Sequence, residues 1–342
     1  MKNNTTIVPY NGDSQGSILG YQLGFQPMEP WPSLAGKAFC LSAGPGSNES
    51  LFFYDSAPSG DFDPSQPFSV PVFVLIHGLG DEADSWRHLI PLLNSWGYRV
   101  LAPDLPGFGR STVPGKMSIK GYADAVLKLL EATVRQPGPG GRMEAPVFLV
   151  GSSMGALVAE EAALKKPGRF SPPADSRGLI LLDGSIPGGP ANPGVFALAK
   201  LLFSRKWYRA YRKNPEGAWA SLYPYYADLD AMPPGDKDFL RRRVMARVES
   251  KTQEQAFFAI QRSLIRAYLL SSSRFARKIQ RYKGKILLLW GEKDKIIPLS
   301  SAETFKSLRP DINLQIIPGA GHLPHQEKPE ETARLIADFV KS

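Results

Sequence analysis

VFLVGSSMGALVAEEAA (Val147–Ala163) divides at its middle into two kinds of sequence. Val147 to Val150 is an unbroken apolar run, short enough for a strand buried on both faces. Met154 to Lys166 has the spacing of a helix. Between them stands Gly151-Ser152-Ser153-Met154-Gly155, a G-x-S-x-G sequence placed where strand gives way to helix. In that place the serine occupies a sharp, strained turn, and small residues flank it because a side chain would collide with the neighbouring strand or helix. Ser153, the central residue, is read as a nucleophile held up at the strand end. The helix that begins at Met154 points its free N–H groups and positive dipole end at the same spot, where negative charge would develop.

The alternation continues on both sides. Val72–Ile76, Tyr98–Ala102, Leu179–Leu182, Ile286–Trp290 and Leu314–Ile317 are further short apolar runs, and Ser85–Trp96, Ile119–Val134, Ser300–Leu308 and Glu330–Val340 are helix-length stretches. Strand and helix in alternation specify an α/β doubly wound, mostly parallel sheet. Lys37–Ser42 and Leu51–Asp55, parted by AGPGSNE, suit an antiparallel hairpin at the sheet edge, so eight strands are expected. Ala57–Pro71 and Gln136–Pro146 are Pro/Gly-rich and read as surface loops. Residues 1–36 show no periodicity and form an N-terminal extension without an assigned role. Between residues 185 and 285 the strand runs stop and the pattern is helical. The expected organisation is thus a core of 37–184 and 286–342 with an all-helical insertion over the C-terminal strand ends, where ligands of such sheets bind.

The chain has 342 residues, of which 43% are apolar and 21% charged, in the range of ordered globular proteins and far from disorder or a fibrous repeat. No window approaches the ~20 apolar residues of a spanning helix, and MKNNTTIVPYNGDSQG lacks the apolar centre of a secretory leader, so a cytoplasmic location is expected. One cysteine and four histidines supply neither an internal disulfide nor a cysteine-based zinc site; no metal and no cofactor are called for.

A serine hydroxyl is a weak nucleophile at neutral pH and needs a neighbouring base. His88 lies inside a helical stretch, and His77 ends VFVLIHG, where it suits the shaping of a turn. His322 stands in IIPGAGHLPHQEKPEE, a Gly-flanked loop between the last strand and the last helix, and is read as the base. His325 competes, or is a surface or supporting imidazole. The imidazole needs a carboxylate to fix its tautomer. Asp294, in the turn of ILLLWGEKDKIIP, is the choice; Asp183, just after LILL, is the rival, or a polar residue capping the loop into the insertion. HGLG (His77–Gly80) follows the third strand, so the backbone N–H groups of Leu79 and Met154 are expected to converge as an oxyanion hole.

HGLGDEADSW, APDLPGFGRS, GSSMGA, LLLWGEKDKIIP and IIPGAGHLPHQEKPEE, in this order, resemble the motif blocks of the α/β-hydrolase superfamily over about residues 70–185 and 285–342. Its members with dehalogenase or epoxide hydrolase activity resemble the rest with aspartate at the nucleophile, which Ser153 does not match. The reading is a serine hydrolase that acts on a carboxylic ester through an acyl-enzyme. Thioester, carbon–carbon and peracid chemistry use similar parts, and a non-catalytic receptor on this fold is the reading of another class.

The insertion holds 20 of the 41 Lys+Arg and 7 of the 32 Asp+Glu, so it is far more basic than the chain's net +9 implies for the rest. It also holds 15 of the 36 aromatics, among them Trp207, Tyr208, Tyr211, Trp219, Tyr223, Tyr225 and Tyr226, which either line a pocket for an apolar acyl substrate or form the insertion's own core. Val195–Lys213 mixes apolar and cationic residues at helical spacing, as a peripheral contact with an anionic membrane would require. No nucleic-acid-binding module accompanies the charge, and no nucleic-acid partner is expected.

Overall fold

The computed structural model describes residues 6–9, 28–42, 50–56, 70–112, 117–134, 145–165, 177–184 and 205–342. The loops expected at 57–71 and 136–146 and the segment 185–204, with half of the amphipathic stretch 195–213, lie wholly or largely outside them.

All six apolar runs are strands: β4 (Val72–Ile76), β5 (Arg99–Pro103), β6 (Val147–Ser152), β7 (Arg177–Leu182), β8 (Lys285–Gly291) and β9 (Asn313–Ile317). They pair parallel in the order β5-β4-β6-β7-β8-β9. The expected hairpin, β2 (Ala38–Ser42) and β3 (Ser50–Ser56), joins antiparallel to β5. The sheet has nine strands rather than eight, because β1 (Thr6–Pro9), inside the supposed extension, pairs antiparallel with β2 at the edge. Four residues ending in proline carry little periodic signal, and proline in a sheet is tolerated at such an edge.

Neighbouring residues of the inner strands go to opposite layers. Val74, Ile76, Leu149, Leu179 and Leu181 pack on α2 (Ile119–Thr133) and α3 (Met154–Leu164). Phe73, Leu75, Val150, Ile180 and Leu182 pack on α1 (Leu89–Ser95) and, near the C-terminus, α10 (Pro329–Lys341). Each inner strand is therefore apolar on both faces, which is why it reads as a continuous run rather than an alternation.

The stretch expected as one helix from Ser85 to Trp96 is instead a 3-10 turn, Ala83–Trp86, followed by α1. Arg87 and His88 at the break both turn to Asp236, the first as an ion pair and the second within hydrogen-bond distance, and these tertiary contacts outweigh the helical pattern.

After β7 come α4 (Arg205–Ala210), α5 (Pro215–Ala220), α6 (Pro234–Glu249) and α7 (Lys251–Arg281), with no strand among described residues 205–281. Trp219, Tyr226, Leu229, Leu240 and Val244 form a small separate core there. In chain order, α8 (Ser300–Leu308) precedes β9 and α9 (Pro324–Glu327) follows it.

Candidate active site

Ser153 sits between β6 and α3 with φ 54 and ψ −118, a region L-residues rarely enter. Its N–H donates to Leu182 O at 2.9 Å, which ties the turn to the neighbouring strand. The flanking glycines are sterically required. A Cβ on Gly151 would stand 2.3 Å from Gly155 O, and one on Gly155 would stand 2.1 Å from Ile76 O. Met154 opens α3, so its N–H has no acceptor within the helix. Leu79 lines the same cavity as Ser153.

His322 lies on the loop between β9 and α9, 1% exposed, and its backbone N–H donates to Tyr225 O at 2.9 Å. Its Nδ1 lies 2.8 Å from Asp294 Oδ2. A carboxylate accepts, so Nδ1 carries the hydrogen and Nε2 keeps the lone pair. Asp294 Oδ1 is occupied by the N–H groups of Ile296 and Ile297, at 2.7 and 3.0 Å, which fixes the carboxylate plane. The buried His322 Nε2 has no hydrogen-bond partner and faces a cavity that Ser153 also lines. The structure thus brings together Ser153, His322, Asp294, Leu79 and Met154 at the C-terminal end of the sheet. It also brings Asp183 there: one oxygen of each acid and a ring nitrogen of His322 lie within 4.8 Å of one another.

The other histidines have different employment. His77 is fully buried, donates from Nδ1 to Gly78 O and accepts at Nε2 from Leu105 N–H, both at 2.8 Å, so it pins the turn after β4 to the loop after β5. His88 Nε2 meets Asp236 at 3.0 Å. His325 is buried rather than on the surface: it stacks on Trp86 with ring centroids 4.1 Å apart, and its Nε2 meets Ser85 Oγ at 2.8 Å. Burial pushes its pKa down to about 3, which keeps the ring neutral.

Sequence reading missed a set of residues that hold the turn after β4. Arg247, on α6, donates to Asp81 at 2.6 Å and to both oxygens of Glu82 at 2.6 and 2.7 Å. Burial raises the Asp81 carboxyl, but Arg247 and His77 outweigh it and hold the pKa below the usual value; for Glu82 burial prevails and the pKa is raised. Deeper in, Arg110 pairs with Asp104 at 2.7 Å and Asp84 at 3.0 Å, and Arg243 reaches Asp84 at 3.1 Å. The only trace in the sequence is an acidic cluster in DEAD (Asp81–Asp84) and an RRR-x-x-x-R pattern (Arg241–Arg247), about 160 residues apart.

The cavity is walled mostly by rings and aliphatic chains: Leu79, Trp207, Tyr208, Tyr225, Phe257 and Leu323. Trp207 and Tyr225 are therefore wall residues, Trp219 belongs to the insertion's core, and Tyr223 is exposed. Arg205, Arg209 and Arg212 all pair with Glu254, so this stretch presents less free positive charge than its composition implies.

A model described as "Alpha/beta hydrolase family" matches residues 73–335. The chain is 27% identical over 280 residues to a pimeloyl-(acyl-carrier protein) methyl ester esterase of Methylococcus capsulatus, covering 80% of this chain and 95% of that one. It is also 27% identical over 279 residues to a 2-hydroxy-6-oxo-6-phenylhexa-2,4-dienoate hydrolase of Burkholderia cepacia, covering 78% and 86%. Among solved structures, a thermophilic esterase from Thermogutta terrifontis superposes with a TM-score of 0.61 at 23% identity, over 86% of this chain and 93% of that one.

Proposed function

The chain belongs to the alpha/beta hydrolase family, and from that premise we propose that it is a serine hydrolase that cleaves a neutral carboxylic ester by way of an acyl-enzyme. One observation carries the reading. His322 is held by Asp294 through Nδ1, while its buried, unpartnered Nε2 opens on the cavity that Ser153 lines.

Ser153 Oγ attacks the ester carbonyl as His322 Nε2 takes its proton, and Asp294 stabilises the imidazolium. The negative charge that forms on the carbonyl oxygen falls to the N–H groups of Leu79 and Met154, at the positive end of α3. His322 returns the proton to the leaving alkoxide, the alcohol departs, and water repeats the sequence on the acyl-enzyme to release the acid.

The relatives include enzymes named for a methyl ester and others named for hydroxy-oxo-dienoate acids. Arg247 is the only Lys or Arg among the described residues that line the cavity, and it is committed to Asp81 and Glu82. A substrate carboxylate would enter without a free counter-ion and lose its hydration, whereas a neutral acyl chain matches the walls. This favours the ester.

A panel of p-nitrophenyl esters graded in acyl length, run beside a diketone acid, tests the proposal. Turnover of neutral esters, lost by more than ~10⁴-fold in Ser153→Ala with an unchanged circular dichroism spectrum, supports it. Ser153→Ala activity equal to wild type, or turnover confined to the diketone acid, overturns it.

A further inference from the structure

Asp183 follows β7 with φ 45, the left-handed region that aspartate enters more readily than most residues. That conformation carries its N–H to Leu289 O, at 3.0 Å, and its carboxyl Oδ1 to Gly291 N–H, at 2.7 Å. The side chain is fully buried, and its Oδ2 has no N–H donor. What faces it is another acid: one carboxyl oxygen each of Asp183 and Asp294 and a ring nitrogen of His322 lie within 4.8 Å of one another. Glu327, on α9, is the further charged group toward this point, and it is held by the N–H groups of Gly321 and Ala227, each at 2.7 Å. Among the described residues no Lys or Arg pairs with Asp183 or Asp294.

Two carboxylates buried side by side cannot both ionise without a large penalty, so one keeps a proton. The hydrogen bonds decide which. Asp294 accepts two backbone N–H groups and the His322 Nδ1–H, three donors that favour its charged form, whereas Asp183 accepts one.

We propose that Asp183 is a positioning residue whose protonated Oδ2 donates to Asp294 and so holds the carboxylate that orients His322. It rests on the serine-hydrolase reading for its kinetic consequence, though not for its protonation. Burial and the charge of Asp294 push the Asp183 carboxyl well above the usual carboxylate range, in the direction this requires.

Asparagine reproduces the proposed state, since its amide N–H replaces the acid O–H and its oxygen still accepts from Gly291. Asp183→Asn is therefore expected to keep kcat within ~3-fold and to leave the acidic limb of the kcat/KM profile within ~0.3 pH units, because no charge near His322 changes. Asp183→Ala removes the donor and is expected to lower kcat ~10-fold or more with KM within ~2-fold, and Asp183→Asn is the conservative variant that rescues it. In infrared spectra at pH 8, a protonated-carboxyl C=O band present in wild type should vanish in Asp183→Asn. That readout survives even if Ser153→Ala shows the serine reading to be wrong.

An acidic limb displaced downward by ~1 pH unit in Asp183→Asn would show that Asp183 is ionised in the working enzyme and overturn the proposal. So would a ~10³-fold loss in Asp183→Asn with Asp294→Asn spared, which would make Asp183 the histidine's acid. Activity lost to EDTA and restored by a divalent metal would also overturn it, because a cation would then occupy the place of the proton.

Discussion

Buried carboxylates lie on two sides of Ser153, and they are neutralised in opposite ways. Beyond β7 and β8, Asp183 and Asp294 meet one imidazole and, among the described residues, no guanidinium. In the turn after β4, Asp81, Glu82 and Asp84 meet Arg110, Arg243 and Arg247. The second arrangement gives each of these acids at least one guanidinium, a cation that stays charged at every working pH. The first is short of positive charge until His322 gains a proton, so it stabilises the imidazolium that the proposed acyl transfer creates. A lack of fixed cations marks the side proposed to react, and fixed guanidinium partners mark the supporting side.

The contrast breaks first at Asp294. Asp294→Asn keeps the shape of the carboxylate but presents either a second donor to Nδ1–H or a neutral acceptor, and imidazolium is no longer stabilised. A fall of about 10⁴-fold in kcat is expected, read with a neutral p-nitrophenyl ester. Activity within 10-fold of wild type would mean that the two acids have been assigned in the wrong order.

The reacting side was legible in the sequence because its parts are local. Gly151 and Gly155 announce a turn that backbone contacts of 2.1 and 2.3 Å would otherwise forbid, and Asp294 and His322 each follow a strand at a Gly-marked turn. The arginines were not legible. Arg247 finds Glu82 across 165 residues, and nothing in RRRVMAR distinguishes a cation that will be buried from one that will face water. For the same reason the helix expected over Ser85–Trp96 broke at Arg87 and His88, whose partner Asp236 lies on α6. Strand β1 escaped notice for a different cause, since an edge strand of four residues needs neither a buried face nor an alternation.

On the supporting side the expected loss is of stability. Arg110 is fully buried, stacks on Phe52 with 3.8 Å to the ring centroid, and pairs with Asp84 and Asp104. Arg110→Met leaves Asp104 without this cation and Asp84 with Arg243 alone, at a cost of about 3–5 kcal/mol, measurable by urea unfolding. A cost under 1 kcal/mol would show that the cluster tolerates an uncompensated acid.

His325 lies where the two sides meet and adds a dependence on pH. Its folded pKa, about 3, is below the ordinary histidine value, so between roughly pH 6.5 and 3 the unfolded chain binds a proton that the folded one refuses. Stability therefore falls as pH drops through that window, by an amount on the order of 3 kcal/mol by pH 4. His325→Gln, which keeps a polar group for Ser85 without the titration, should flatten this part of the profile of unfolding free energy against pH; an unchanged slope would assign the acid sensitivity elsewhere.

Helix α6 offers the finest version of the comparison, because it carries arginines of both kinds. Arg247 holds the turn that presents Leu79, so Arg247→Met is expected to lower kcat/KM by about 10- to 100-fold, the range set by losing one well-placed oxyanion donor in part. Two turns earlier, Arg241 pairs with Glu216 at 2.9 Å and lies 4.5 Å from the Trp219 ring centroid, but both members of the ion pair are largely exposed to water. Solvent screens such a pair, and the two side chains give up rotamer freedom to hold it. Arg241→Ala should therefore change unfolding free energy by less than about 1 kcal/mol and leave kcat/KM within ~2-fold. A loss in Arg241→Ala equal to that in Arg247→Met would mean that helix placement alone, rather than burial against the Leu79 turn, governs what these cations do.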